Sequence, residues 1–160
     1  VCFLGNDLQS ITSGLLNLNE KIYKKFLDYK QFQVIAIYPQ NKREDIKELK
    51  ERIGAFTDMQ KWKFVPSTKT EIEAFYQSFA YKAPLLNLTS TKAFLIDKSL
   101  NLRGRLKDDE TNGKLYGYNL NSVSELNGKL KDDIKVLYYE YYAAFKERNK
   151  NKADRKEVGL

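Results

Sequence analysis

The sequence predicts a mixed α/β domain with a central mixed sheet, a β-hairpin in its C-terminal half and a long terminal helix. Three observations carry that expectation. Short apolar runs at residues 1–5, 33–38 and 62–65 alternate with segments whose apolar residues recur at helical spacing. From residue 92 onward, two strand-like runs follow each other across a short turn with no helix between them. A single apolar stripe then runs from Val123 to Phe145. Strands separated by helices pair in parallel through right-handed crossovers, whereas a short turn imposes antiparallel pairing.

Each element has its own signal. Val1 to Gly5 (VCFLG) reads as a short buried strand, and residues 13–29 as a helix with Leu15, Leu18, Ile22 and Phe26 on one face. QVIAIY, residues 33–38, is a buried strand ended by Pro39. Ile46, Leu49, Ile53 and Phe56 mark a second helix within NKREDIKELKERIGAF, residues 41–56. WKFV, residues 62–65, is a strand closed by Pro66. Thr68 and Glu71 have capping-box spacing ahead of a helix presenting Ile72, Phe75 and Phe79. KAFLI, residues 92–96, is expected as a central strand. LRGRL, residues 102–106, pairs back on it across a turn at Asp97–Asn101. Ser122 and Glu125 repeat the capping-box spacing before the last helix, whose stripe is Val123, Leu126, Leu130, Ile134, Leu137, Tyr141 and Phe145. The order is β-α-β-α-β-α-β-β-α in one domain, residues 1–146, followed by a charged tail, 147–160, expected to fray.

Composition narrows the chemistry. The 160 residues are 42% hydrophobic, enough for a core of their own. The net charge of +7 admits nucleic acid, an anionic membrane or an acidic partner, and the dispersed lysines read as a solvated surface. There is no histidine and one cysteine, Cys2. Those counts rule out an intramolecular disulfide, a dithiol couple, a zinc knuckle and a Cys/His nucleophile pair. Cys2 lies in an apolar strand and reads as a small buried hydrophobe. No apolar run is long enough to cross a bilayer, and no signal-peptide pattern is visible. The opening in mid-strand leads us to expect a further segment ahead of Val1.

In many α/β proteins the chemistry sits in the turn between the first strand and the first helix. Here that turn is GNDLQSITS, residues 5–13, with one carboxylate, three hydroxyls and two amides. Four other groupings stand out. Asp108, Asp109 and Glu110 beside Asn112 lack EF-hand spacing and read as a solvated acidic turn rather than a calcium site. Arg103 and Arg105 flank Gly104 on one face of a strand, either to clamp a carboxylate or phosphate or to protect an edge. Tyr138, Tyr139, Tyr141 and Tyr142 cannot all face one core, so some must lie at its rim, where tyrosine serves protein interfaces. Asn87-Leu88-Thr89 is a glycosylation sequon, relevant only in a eukaryotic secretory setting.

The chain resembles the Sco/SenC family, thioredoxin-fold proteins that help assemble the copper site of cytochrome oxidase. FLGNDLQSITSGLLNL resembles that family's strand, turn and first helix. VIAIYPQNKRED resembles its strand and Asp-Pro loop, with Tyr38 in place of the aspartate. WKFVPSTKTEIEAFYQSF resembles its next strand and helix, and TSTKAFLIDKSLNLRGR its strand-turn-strand. Working members bind copper through a CxxxC pair and a distant histidine, since thiolates suit Cu(I) and imidazole completes the site. The resemblance places Asp7 and Ile11 at the cysteine positions and Thr89 at the histidine position. All three ligands are absent, which implies an empty socket: no catalysis, no metal and no cofactor.

The expected role is therefore a non-catalytic thioredoxin-like binding protein, an accessory subunit or assembly factor of a respiratory or other membrane-associated complex. The resemblance implies an extracytoplasmic location with a tether ahead of this segment. Candidate partner-binding residues are Tyr138, Tyr139, Tyr141, Tyr142, Arg103 and Arg105, and the socket offers Asn6, Asp7, Gln9 and Ser10 opposite Thr89 and Ser90. Two alternatives from other classes are a one-cysteine thiol peroxidase or reductase using Cys2, and a basic nucleic-acid-binding protein, disfavoured for want of a basic groove beside the aromatics.

Overall fold

The computed structural model describes residues 1–110 and 113–157, with side chains as far as Lys150. Five strands form a mixed sheet with Cys2–Leu4 in the middle. β1 (Cys2–Leu4) lies parallel to β2 (Val34–Pro39), which lies parallel to β3 (Trp62–Ser67). β4 (Thr89–Ala93) runs antiparallel to β1, and β9 (Tyr118–Asn119) antiparallel to β4. The two prolines expected to end their strands lie inside the ladder, with Pro66 opposite Tyr38 and Pro39 opposite Ser67. Pro66 is accommodated because β3 is an edge strand, and Pro39 because it is the last residue of its own.

The first helix runs from Leu8 to Leu18, through a π turn at Asn19–Tyr23, to a last turn at Lys24–Phe26. It starts five residues before the expected position because Asp7 caps it, accepting from the Ser10 amide at 3.3 Å. Its Ile11, Leu15, Leu18 and Ile22 share one core with Ile46, Leu49 and Ile53 of the second helix (Arg43–Gly54) and Leu126, Leu130 and Ile134 of the last. Phe56 falls outside this core at 62% exposed, because the second helix stops at Gly54. On the other face of the sheet, Ile72 and Tyr76 of the third helix (Lys69–Gln77) pack on Phe3, Ile37 and Phe94. Its capping box at Thr68 and Glu71 forms in both directions. Phe75 stands at the rim of this core, still in ring contact with Phe3, and Phe79 is partly buried.

The C-terminal strands differ from expectation. KAFLI is not one strand: Lys92 and Ala93 end β4, an inner strand between β1 and β9, while β1 holds the middle place. The hairpin across Asp97–Asn101 does form, through Leu95 opposite Arg103 and Ile96 opposite Leu102. It is a separate pair, β5 (Leu95–Ile96) with β6 (Leu102–Arg103). LRGRL breaks at Gly104, where an added Cβ would strike the Leu115 carbonyl and come within 2.6 Å of the Tyr116 ring. Beyond it, β7 (Arg105–Asp108) pairs with β8 (Gly113–Leu115), and the fifth place in the main sheet goes to β9, a stretch read as loop.

The last helix begins at Val123–Glu125, passes through a π turn at Leu126–Leu130 and continues as Lys131–Glu157, into the charged stretch after Glu147. Its N-terminal capping box forms in one direction only. Ser122 caps the Glu125 amide, but the Glu125 carboxylate turns to the Asn119 amide at 2.6 Å, which ties the helix to β9. Leu126, Leu130, Ile134 and Leu137 are buried, whereas Val123 and Phe145 are exposed because the stripe overruns the body at both ends. No helix among the described residues is long and apolar enough to cross a membrane.

Candidate functional site

The three socket positions are all built into the scaffold. Asp7 is the helix cap. Ile11 is 1% exposed within the main core. The Thr89 hydroxyl, buried, donates to the Leu4 carbonyl at 3.0 Å. Gly5 takes φ +63°, and a Cβ there would lie 2.6 Å from the Asn87 carbonyl, so glycine is required for this close approach. The Asn6 amide donates to that carbonyl at 2.9 Å. Three further hydroxyls are spent locally: Ser10 donates to Asp7 O, Thr12 to Leu8 O, and Ser90 accepts from the Lys92 amide. Thr89 and Ser90 are thus buried rather than displayed opposite the turn. What remains is a shallow polar cavity of about 360 Å³, bordered by Asp7, Gln9, Lys42, Glu48 and Arg52. A larger, mainly apolar cavity of about 570 Å³ lies at the opposite end of the sheet, bordered by Val34, Phe94, Ile134 and Tyr138 among others.

The two arginines clamp carboxylates, but those of their own chain. Arg103 donates through Nη2 to both Glu140 oxygens at 2.7 Å and through Nη1 to Asp97 at 3.4 Å. Arg105 donates through Nε to Asp133 at 2.9 and 3.0 Å and through Nη2 to the carbonyls of Gly128 and Lys129. The Tyr118 hydroxyl adds a bond to Asp133 at 2.7 Å, and burial followed by that carboxylate pushes the phenol far above its ordinary value. Burial pushes the Asp97 carboxyl up, but hydrogen bonds from Asn101, Ser99 and Arg103 outweigh it and hold the group below the usual range. The acidic turn also differs from its expected solvated state. Asp108 is buried and pairs with Lys129 at 2.8 Å, and Lys129 also holds Glu110 at 2.7 Å. Asp109 is exposed, and Asn112 lies outside the described residues. Among the described residues, no group of three or more His, Cys, Asp or Glu side chains is placed to hold a metal ion.

The tyrosines divide into two pairs. Tyr138 packs edge-on against Tyr29 and donates to the Lys30 carbonyl at 2.9 Å, and its phenol is pushed up to about 12, chiefly by burial. Tyr141 accepts from the Lys98 amide at 2.9 Å while the Lys98 ammonium sits over its ring. Tyr139 and Tyr142 face solvent at 73% and 58% exposed. Lys146 lies over the Tyr142 ring, 5.0 Å from its centroid. The division follows helical geometry, since 138 and 141 share the side of Ile134 and Leu137 whereas 139 and 142 lie on the far side.

One grouping escapes any linear reading. Lys21 and Lys25 of the first helix come together with Lys131 and Lys135 of the last. Burial lowers the Lys25 ammonium, and the charges of Lys131, Lys21 and Lys135 act in the same direction. Lys25 also donates to Asn127 Oδ1 at 2.6 Å. More than a hundred positions separate the two pairs, so only the packing of the π turns against each other joins them.

Cys2 is fully buried, and burial raises its thiol above the ordinary cysteine value. No protein family, curated protein or solved structure matches the chain.

Proposed function

We propose that this chain is a non-catalytic binding domain of the thioredoxin-like type, serving as an accessory subunit or assembly factor of a membrane-associated complex outside the cytoplasm. The observation that carries this reading is the fate of the socket: Asp7, Ile11 and Thr89 each hold the scaffold together, so none is available to hold a ligand. The strand arrangement supports the thioredoxin-like assignment, because a parallel β1–β2 pair is followed by antiparallel β4 and β9 and then a helix. The Sco/SenC resemblance supports the cellular setting. The thiol-enzyme alternative is weakened by Cys2, whose side chain has no exposure and whose raised thiol disfavours the nucleophilic thiolate.

Binding falls to what the scaffold leaves free, and the solvent-facing Tyr139 and Tyr142 are the strongest candidates. Tyrosine gives large contact area at low conformational cost. Two measurements test the reading. Cys2 in the native chain should react with iodoacetamide far more slowly than in the urea-unfolded chain, and rapid native alkylation at neutral pH would favour the enzyme. A protein partner recovered from the native host should be lost with Tyr139→Ala/Tyr142→Ala and retained with Asp7→Ala, and the opposite pattern would return function to the socket.

A further inference from the structure

The solvent face where the first and last helices lie side by side carries an unusual concentration of one sign of charge. Lys25 donates to Asn127 at 2.6 Å where the helices meet, Lys21 lies one turn before Lys25, and Lys131 and Lys135 lie one and two turns beyond Asn127. Lys25 and Lys135 are exposed, and Lys21 and Lys131 half-buried. Along the last helix the same face continues with Val136, Tyr139, Tyr142 and Lys146, all exposed. The carboxylates near it are fewer: Glu20 is held by Lys24, Asp132 lies 3.9 Å from Lys135, and Asp28 follows Lys25 by one turn. Asp133 and Glu140 point to the other side of the helix, into Arg105 and Arg103. Like charges that outnumber their counter-charges repel one another, and an external anion relieves that repulsion.

We propose that this lysine and tyrosine face docks on an anionic lipid bilayer. Residue type favours that occupant. The cations on it are lysines. A lysine ammonium is a flexible point charge that suits a fluid headgroup layer, while fixed phosphates are better matched by the forked guanidinium of arginine. Tyrosine is enriched at the headgroup level of membranes, with its ring toward the acyl region and its hydroxyl in water. The inference rests on the proposed binding role in that both use Tyr139 and Tyr142, while the lysines belong to the membrane alone.

The test is co-sedimentation of the full chain with vesicles of phosphatidylcholine, and with vesicles of equal parts phosphatidylcholine and phosphatidylglycerol. Binding is expected to the second kind only, and raised salt should release it. Each lysine near an anionic surface contributes roughly a fivefold change in affinity, so Lys25→Glu/Lys131→Glu should lose at least about 25-fold. Lys63→Glu/Lys69→Glu makes the same change of net charge on the opposite side of the sheet and should lose little. Circular dichroism confirms that each variant is folded. Failure of the wild type to bind phosphatidylglycerol vesicles would overturn the proposal. So would equal losses in the two double variants, or tighter binding of a single-stranded oligonucleotide through Lys25 and Lys131. Should vesicle binding fail while Tyr139→Ala/Tyr142→Ala still sheds a protein partner, the membrane inference falls and the binding role stands.

Discussion

The turn after β1 and the surface of the last helix both present polar side chains that a binding site would use, yet the molecule treats them differently. At the turn Asp7 is spent on Ser10, Thr12 on Leu8 and Thr89 on Leu4, each within a few residues or on the adjacent strand. On the last helix the polar groups facing the body are spent over long sequence distances, Glu140 on Arg103 and Asp133 on Arg105, while Tyr139 and Tyr142 face away into solvent. A turn that satisfies itself cannot also recognise a ligand without losing stability. A helix clasped on one side only keeps its other side available. The difference is why the proposed binding role is placed on the helix.

Five substitutions test this contrast. Ile11→Ala should have the largest effect, about 3 kcal/mol, because it opens a cavity where a working socket would carry a replaceable ligand. Urea denaturation reads it, and a loss below ~1 kcal/mol would show that the position is not part of the core. Arg105→Ala strips Asp133 of its charge partner in a half-buried site and should cost about 2 kcal/mol. Thr89→Val removes a buried hydrogen bond at nearly constant volume, with an expected loss of ~1–1.5 kcal/mol in thermal unfolding and none in partner binding.

Tyr138→Phe should cost about 1 kcal/mol at neutral pH by losing the bond to Lys30. It also carries a pH signature. The folded phenol keeps its proton to about 12, while the ordinary tyrosine value is 10.0. The native state therefore binds more protons between those values, and stability falls as pH rises through them. The variant should show a shallower alkaline decline, and an unchanged slope would argue that Tyr138 is not buried in solution. Tyr139→Ala should be nearly silent in stability, under ~0.5 kcal/mol, yet weaken partner binding by ~1–3 kcal/mol. The reverse result would place Tyr139 in the clasped half of the helix.

The capping box at Thr68 and Glu71 was legible because both partners lie three residues apart and the signal is local. The apolar stripes of the first and last helices were legible for the same reason. Phe56 and Phe145 fit their periodicities and are nonetheless exposed, since a period marks a face without marking where the body ends. LRGRL reads as one strand, and only the approach of Leu115 and Tyr116 to Gly104 divides it.

The sequence by itself determined the alternation of strands and helices, the buried faces of the helices and the absence of any dithiol or imidazole chemistry. Those properties depend on composition or on neighbours within a few residues. The tertiary structure decided that β9 rather than LRGRL completes the main sheet, that Arg103 and Arg105 are bound to the last helix, and that four lysines from opposite ends of the chain form one face. Each of those outcomes is a pairing of groups far apart in sequence. Which distant partner a charge or strand edge meets is set by how the helices pack on the sheet, and no local pattern records it.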